Sequence, residues 1–428
     1  MSACRHHVRD VCAHSDMRIL YLTQWFEPEP AFKGLEFAKA LAAKGHEVEV
    51  ATAFPNYPGG KVYPGYRVRP YQRDVMDGIT VHRLYVWPSH DRSSVGRMLN
   101  YLSFWLSSLF FGLIRGWRYD AVYIYHPPIT PALAAALFCR LWRRPFVVEI
   151  QDLWPDSVAS SGMAPGRIVR ALDAACRFTY RRAAAIVAQS AGMMARLEER
   201  GVPKAKLHCI RNWSTYAPAR DAADLPPEVV RAAFAGRINL VYGGNMGQAQ
   251  GLRTVIDAVA AAIRTQPDLR LHLHLFGGGI ERDTLAARID ELGMAERMTL
   301  HGSVSRGAMD RIFDLADILV LHLKADPLYE VTIPSKTQHY LSCGKPIVAG
   351  LSGEAADLLR QSGAAIVTAP EDTGAMTAAI LSLAERDPAE RDTLGKNGRD
   401  YYDTHLAFAP AIDRTVAILG QVAGTLPR

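Results

Sequence analysis

Residues 17–54 read MRILYLTQWFEPEPAFKGLEFAKALAAKGHEVEVATAF. Arg18–Trp25 is a short apolar run, Gly34–Lys44 carries its apolar residues at helical spacing, and Glu47–Phe54 returns as a second strand-like run. Gly45 stops the helix between them, since glycine takes the left-handed conformation that closes a helix at no steric cost. Strand, helix and strand in under forty residues, with strands apolar along their length, predict parallel strands covered on both faces.

The alternation continues on both sides of this unit. Strands are expected at Ile79–Trp87, Ala121–Tyr125, Phe146–Gln151, Ala184–Gln189 and Lys206–Ile210, separated by helices to Arg144, over Gly166–Arg182 and over Ala191–Arg200. Residues 214–236 hold Pro218, Pro226 and Pro227 in a run of Ala and Asp and read as a linker. The pattern then restarts, with strands at Asn239–Tyr242, Arg270–Phe276, Met298–His301, Asp317–Leu323 and Pro346–Ala349. Helices fall at Leu252–Thr265, Glu281–Leu292, Arg306–Leu315 and Ser335–Ser342.

A chain of 428 residues is too long for one core. The expected organisation is therefore a disordered lead-in over 1–16, a Rossmann-like domain over 17–213, the linker, and a second Rossmann-like domain over 237–405. Residues 406–428 form a last helix that packs back on the first domain. Two doubly wound α/β domains in series would face a central cleft, with ligands at the carboxyl ends of the strands.

The net charge of +6 is unevenly spread: residues 1–215 hold 28 Lys and Arg against 17 Asp and Glu, and the remainder 21 against 26. A basic first half suggests that it meets something anionic, the plainer alternative being charge scattered over solvated helices. Residues 98–114, MLNYLSFWLSSLFFGLI, carry no charge and are flanked by Arg97 and Arg115. The segment is short for a membrane span. It reads as a core helix, as an interfacial helix on an anionic leaflet, or as both at once.

Cys4, Cys12, Cys139, Cys176, Cys209 and Cys343 show no disulfide spacing, and Cys4, His6, His7, Cys12 and His14 lack the spacing of a zinc site. No apolar secretory segment opens the chain. A cytoplasmic protein with reduced thiols, no metal and no nucleic-acid partner is expected.

Glycine-rich turns follow predicted strands at Lys33-Gly34, Gly243-Gly244-Asn245-Met246-Gly247 and Gly277-Gly278-Gly279. None is a GxGxxG, which disfavours a nicotinamide or flavin cofactor. Each places backbone N–H groups where a ligand could approach, although a single such turn can be mere punctuation. Ile333-Pro334-Ser335-Lys336-Thr337 reads as a capped helix start, where the helix dipole and the Lys336 ammonium would together suit a diphosphate. In the first half, His126 ends one strand and Asp152 follows the next, at one sheet edge, within Tyr125-His126-Pro127-Pro128 and Gln151-Asp152-Leu153-Trp154-Pro155-Asp156-Ser157. A histidine and an aspartate so placed are candidates for handling a hydroxyl proton.

In this order, MRILYLTQWFEPEP, GHEVEVATAFPNYPGG, EIQDLWPDS, YGGNMGQAQGL, IPSKTQHYLSCGKPIVAG and the APED at Ala369 resemble the family 4 retaining glycosyltransferases, and among them the WbuB-like branch that builds O-antigen and capsule repeat units. The resemblance runs from Met17 to the C-terminus. It implies a GT-B fold, a UDP-sugar donor (an N-acetylated amino sugar among the choices), no metal, and transfer with retention to a polyprenyl-diphosphate-linked saccharide at the inner face of the plasma membrane. By position, Gly34 matches the N-terminal loop near the donor phosphates, Gly247 the C-domain loop near the β-phosphate and His126 a histidine near the transferred sugar, while Ser335 and Lys336 lie where the family binds diphosphate; Gln248 and Gly278, in the glycine-rich turns, are further donor-binding candidates.

The chain also departs from the family. Gln248 and Gln250 stand where Arg and Lys are common, and His339 takes the place of the ribose-binding glutamate. Glu330 lies only near the first glutamate of the family's pair. Phosphate charge then falls to Lys336, Lys324 and backbone donors, with His126, Asp152 and Lys336 as the catalytic candidates. A nucleotide-sugar 2-epimerase of the same architecture and a non-catalytic, membrane-docked partner protein are the alternatives.

Overall fold

The computed structural model describes residues 16–89, 94–126, 128–156, 166–214 and 233–424. The lead-in with its Cys and His residues, Pro127, Ser157 and nearly all of the linker lie outside them. The chain forms two compact units. One takes the described residues of Met1–Ala188, Leu197–His208 and Ile412–Arg428, and the other takes Gln189–Arg196 and Cys209–Ala411.

This division departs from the expected boundaries, and the hydrogen bonds say why. Ser190 Oγ donates to the Val331 carbonyl at 2.5 Å, and the Gly192 N–H donates to Glu354 at 2.9 Å. Arg211 pairs with Glu354 at 3.1 Å, the Ser214 N–H donates to Tyr402 Oη at 3.0 Å, and Trp213 packs edge-on against Phe408. These short segments are therefore held by the second unit.

The described elements up to Cys209 run β1 Arg18–Leu22, α1 Leu35–Ala43, β2 Glu47–Ala53, β3 Tyr71–Met76, β4 Ile79–Leu84, α2 Ser94–Arg115, β5 Ala121–His126, α3 Thr130–Trp142, β6 Phe146–Ile150, α4 Gly166–Arg182, β7 Ala185–Ala188, α5 Ala191–Glu199 and β8 Leu207–Cys209, and they belong to the first unit except for α5 as far as Arg196 and for Cys209. The sheet of the first unit has the order β3-β4-β2-β1-β5-β6-β7-β8. All the registered pairs are parallel except β3 with β4, a hairpin turned by Asp77 and Gly78, both at positive φ. The central strands are buried on both faces, which is why they read as unbroken apolar runs. α2 buries Asn100, Phe104, Ser108 and Phe111 and lies close on α3, because Gly112 and Gly116 leave room for Phe138 and Trp142.

The second unit runs β9 Ile238–Gly243, α6 Leu252–Thr265, β10 Leu271–Phe276, α7 Arg282–Glu291, β11 Met298–Leu300, α8 Arg306–Leu315, β12 Ile318–His322, α9 Pro327–Glu330, α10 Ser335–Cys343, β13 Ile347–Gly350, α11 Gly353–Ser362, β14 Ala365–Thr368, α12 Thr373–Ala384 and α13 Pro388–His405, and α14 Phe408–Gly424 follows, with the unit boundary inside it. Its sheet is parallel in the order β11-β10-β9-β12-β13-β14. In each sheet the chain begins near the middle, builds outward, then returns to the other side. The reversal points are β1/β5 and β9/β12. Loops leaving two neighbouring strands in opposite directions open a crevice at such a point, which is where ligands of doubly wound sheets gather.

Candidate functional site

At the β9/β12 reversal the loop after β9 is fixed by its partner after β10. The Gly244 N–H donates to the Phe276 carbonyl at 2.9 Å and the Met246 N–H to the Gly278 carbonyl at 2.8 Å. Gly277 and Gly279 have φ of +123° and +155°, and a Cβ on either would stand 2.0 Å from the Gly244 oxygen or 2.4 Å from the Met246 oxygen. Only glycine satisfies both conditions.

Lys336 lies against this double loop. A Cβ on Gly244 would stand 2.5 Å from Lys336 Cε and 2.8 Å from Nζ, and the ammonium lies 5.1 Å from the Tyr242 ring centroid. No carboxylate among the described residues pairs with it, and burial pushes its pKa down to about 8. Ser335 and Lys336 open α10, where backbone N–H groups have no partner within the helix. The N-cap is Pro334, not Ser335, and no side chain caps the helix. Ser335 instead occupies the first helical turn, so the helix end stays open to an outside acceptor.

The remaining donor candidates separate. Gly247, Gln248 and Lys324 line one cavity of about 430 Å³, and Gly278 and His339 line another of about 460 Å³. His339 is held on both ring nitrogens, with Nε2 3.3 Å from Asp310 Oδ1 and Nδ1 3.1 Å from Ser214 Oγ. Glu330 belongs to neither cavity. Its backbone packs on Gly353, whose Cβ would stand 2.0 Å from the Glu330 oxygen, and its side chain is exposed, with no hydrogen bond or ion pair among the described residues.

Two residues of this region escaped the sequence reading. His322, buried at the end of β12, donates from Nδ1 to the Gln250 carbonyl at 2.8 Å and accepts at Nε2 from the Glu371 N–H at 3.0 Å. Glu371 lines the cavity of Lys324 and Gln248 at φ +60° and accepts from the Ala325 N–H. A histidine closing the apolar run ILVLH and the acid of APED were the available signals.

At the β1/β5 reversal His126 is fully buried, and among the described residues neither ring nitrogen has a hydrogen-bond partner. Burial pushes its pKa down to about 3, so the ring is neutral at physiological pH. Trp154 meets it edge-on at 5.5 Å. No hydrogen bond or ion pair joins His126 to Asp152. Asp152 keeps solvent access, and desolvation by the packed loop raises its carboxyl above the usual range. The loop is tied down elsewhere. Arg200 donates to the Trp154 carbonyl at 2.8 Å and pairs with the Asp156 carboxylate. Asp156, within reach of the helix-borne Arg200, is thus the acid that anchors this loop.

Gly34 caps α1 beside an unexpected neighbour, the Glu27 carboxylate, which accepts from the Leu35 N–H at 2.8 Å. Behind it Lys33 is fully buried in an ion pair with Glu149, which also accepts from the Tyr123 hydroxyl and from Gln151 Nε2. Tyr21 donates to the Lys33 carbonyl at 2.5 Å. This network fixes the residue before Gly34, and it too went unread in the sequence.

Comparison with known proteins gives this geometry a context. Residues 35–213 match the glycosyl transferase 4-like domain, and residues 237–386 match the glycosyl transferases group 1 domain. A protein named for colanic acid biosynthesis, the glycosyl transferase WcaI of Escherichia coli (strain K12), is 28% identical over 81% of this chain and 86% of its own length. The lipopolysaccharide core biosynthesis glycosyltransferase LpsD of Rhizobium meliloti (strain 1021) is 25% identical over 71% of this chain and 88% of its own. Two solved structures share the fold. Anabaena HepE in complex with UDP has a TM-score of 0.67 and 17% identity, over 96% of this chain and all of its own. The Burkholderia multivorans trehalose 6-phosphate synthase has a TM-score of 0.70 and 12% identity, over 96% and 98%.

Proposed function

This chain belongs to the family 4 glycosyltransferases of GT-B fold that act in surface polysaccharide biosynthesis, and from that premise we propose that it moves a sugar from a UDP-sugar, with retention and without a metal, to a polyprenyl-diphosphate-linked saccharide. The observation that carries the reading is the open start of α10. It combines a first helical turn without a side-chain cap, a half-buried cation with no carboxylate beside it among the described residues, and a glycine loop against that cation.

As the bond between the anomeric carbon and the diphosphate breaks, negative charge grows on the leaving phosphate. The α10 N–H groups and the Lys336 ammonium stabilise that charge, and they are in place before the reaction begins. Gly247, Gln248 and Lys324 then serve the phosphates and sugar, while Gly278 and His339 serve the nucleoside. His126, neutral and with both nitrogens unsatisfied, positions the sugar or the acceptor hydroxyl by hydrogen bonding rather than by charge.

The acceptor's site at the inner face of the plasma membrane is supported by α2. Its outer stripe exposes Val95, Met98, Leu99, Leu102, Leu106, Phe110 and Ile114, it holds no acidic residue, and Arg97 and Arg115 bound it. Exposed Trp87 and Trp117 flank it, as aromatic residues do at a membrane interface.

The test is a panel of nucleotide sugars assayed for released nucleotide with and without a polyprenyl-linked acceptor. Acceptor-dependent release from a UDP-sugar supports the reading. Epimer formed from UDP-GlcNAc alone would replace it with epimerase chemistry, and no release with any donor would leave a non-catalytic protein.

A further inference from the structure

α8 buries one group that an apolar face does not account for. Ser305 caps the helix by accepting from the Ala308 N–H at 3.2 Å, and the helix's buried side carries Ile312, Phe313 and the acid Asp310, which is 5% exposed. No hydrogen bond reaches the Asp310 carboxylate among the described residues, and Oδ1 is enclosed by protein. His339 Nε2 approaches Oδ1 to 3.3 Å but off the line of a hydrogen bond. Arg306, one turn earlier on α8, makes no ion pair with the acid among the described residues. An acid buried with its oxygens unsatisfied costs free energy, and a ligand that donates hydrogen bonds to it removes that cost.

Its place narrows what that ligand is. Asp310 lines the cavity of about 460 Å³ with Gly244, Gly278, Arg306 and His339, and Gly244 is also the residue against which Lys336 lies. On α10, Lys336 and His339 are three residues apart, so they are neighbours on one face, about 4.5 Å along the axis. A diphosphate held by Lys336 therefore has this cavity beside it. A metal ion or an ammonium would meet the Arg306 guanidinium there, and no group of three possible metal ligands exists among the described residues. Neutral hydroxyls suit the site better. The two adjacent hydroxyls of a ribose offer two O–H donors, and a carboxylate accepts both in charge-assisted bonds. His339 does not supply this itself, since Nδ1 lies 3.1 Å from Ser214 Oγ, Nε2 faces Asp310, and a neutral imidazole accepts at one nitrogen only.

We propose that Asp310 binds the ribose hydroxyls of the donor nucleotide and gives this chain a preference for ribonucleotides over deoxyribonucleotides. This rests on the nucleotide-sugar donor of the proposed function and names the group in that site which recognises the nucleoside. The acid comes from α8, and His339, held edge-on by Phe313 at 5.3 Å, stands beside it on α10.

The experiment is isothermal titration of the full-length protein with UDP, 2′-deoxy-UDP, CDP, GDP and 2′-deoxy-GDP. UDP should bind about tenfold or more tighter than 2′-deoxy-UDP, as the loss of a hydrogen bond to a charged group requires. In Asp310→Ala the two should come within about twofold of each other, with the ratio of UDP to CDP unchanged. A merely structural role for the acid would weaken both uridine nucleotides alike and keep their ratio. Equal binding of UDP and 2′-deoxy-UDP by the wild type, an unchanged ratio in a folded Asp310→Ala protein, or a shift in the UDP-to-CDP ratio in its place would overturn the proposal. If the alanine variant does not fold, Asp310→Asn keeps the shape of the side chain, and its ribo-to-deoxy ratio must fall for the proposal to stand. Discrimination shown by the guanosine pair alone would change the donor of the proposed function and leave the role of Asp310 in place. UDP bound without discrimination would sink that role alone, and binding of neither nucleoside diphosphate would sink both.

Discussion

Glu27 lays its carboxylate directly on Gly34: Oε2 accepts the Leu35 N–H at 2.8 Å, and Oε1 stands 1.9 Å from where a Cβ on residue 34 would be. The positive end of α1 is thus met by an anion from within the chain, at the place assigned to donor phosphate. Glu27→Gln removes that charge. It should cost about 0.5–1 kcal/mol of stability and lower the donor KM a few-fold with kcat little changed. A tenfold rise in KM would show instead that Glu27 holds the substrate.

Lys336 is the group whose titration should be visible in activity. It is protonated below a pKa of about 8, so the charge available to the diphosphate is full under neutral conditions and fades as pH rises through that value. Donor affinity should fall over pH 7–9 in the wild type and stay flat in Lys336→Arg, because guanidinium does not titrate there. Lys336→Ala should lower kcat/KM at least a hundredfold. Turnover undiminished in that variant would remove Lys336 from the mechanism.

Gly277→Ala tests the double loop. The added methyl would sit 2.0 Å from the Gly244 oxygen at a φ of +123°. A loss of about 3 kcal/mol or more is expected, from strain and from displacement of the neighbouring loop. Thermal unfolding should show the drop, and isothermal titration should show weakened UDP binding in whatever folds.

A stack of imidazoles makes the second unit acid-sensitive. His272 accepts from Arg237 Nη1 at Nδ1, 2.7 Å away, and His274 stacks between Phe234 and His272 with Nδ1 3.1 Å from His301 Nε2. Burial first, with Arg237, Arg297 and the neighbouring histidines, pushes His272 down to about 4 and His274 down to about 2. The unfolded chain takes up these protons below about pH 6.5, while the folded chain does not. Stability is therefore full above that pH and falls as pH drops below it, by about 2 kcal/mol per histidine at pH 5. Melting temperatures from pH 7.5 to 5 should fall steeply in the wild type. In His274→Gln they should start lower and fall less.

The central strands were legible because burial on both faces leaves unbroken apolar runs, as in Leu271–Phe276 and Ile318–His322. β3 was not, since YQRDVM lies at an edge with alternate residues in water and reads as polar. β14 and the helices over 353–405 were passed over as well, α13 being polar along most of its length. At the site, Lys336 and the 243–247 loop are near in space as their motifs suggested. Glu27, Glu149 and Asp310 could not be found that way, because each acts on a residue brought close only by the fold.

The Lys33–Glu149 pair bears on how this chain can change over generations. Removing either partner strands the other charge in a dry interior, at about 3–5 kcal/mol, against a total stability of roughly 5–15 kcal/mol. Replacing both together by apolar residues of similar volume costs far less. Substitution at positions 33 and 149 should therefore be inherited as a linked event, and in a descendant lineage the identity of one residue should foretell the other across 116 positions of sequence.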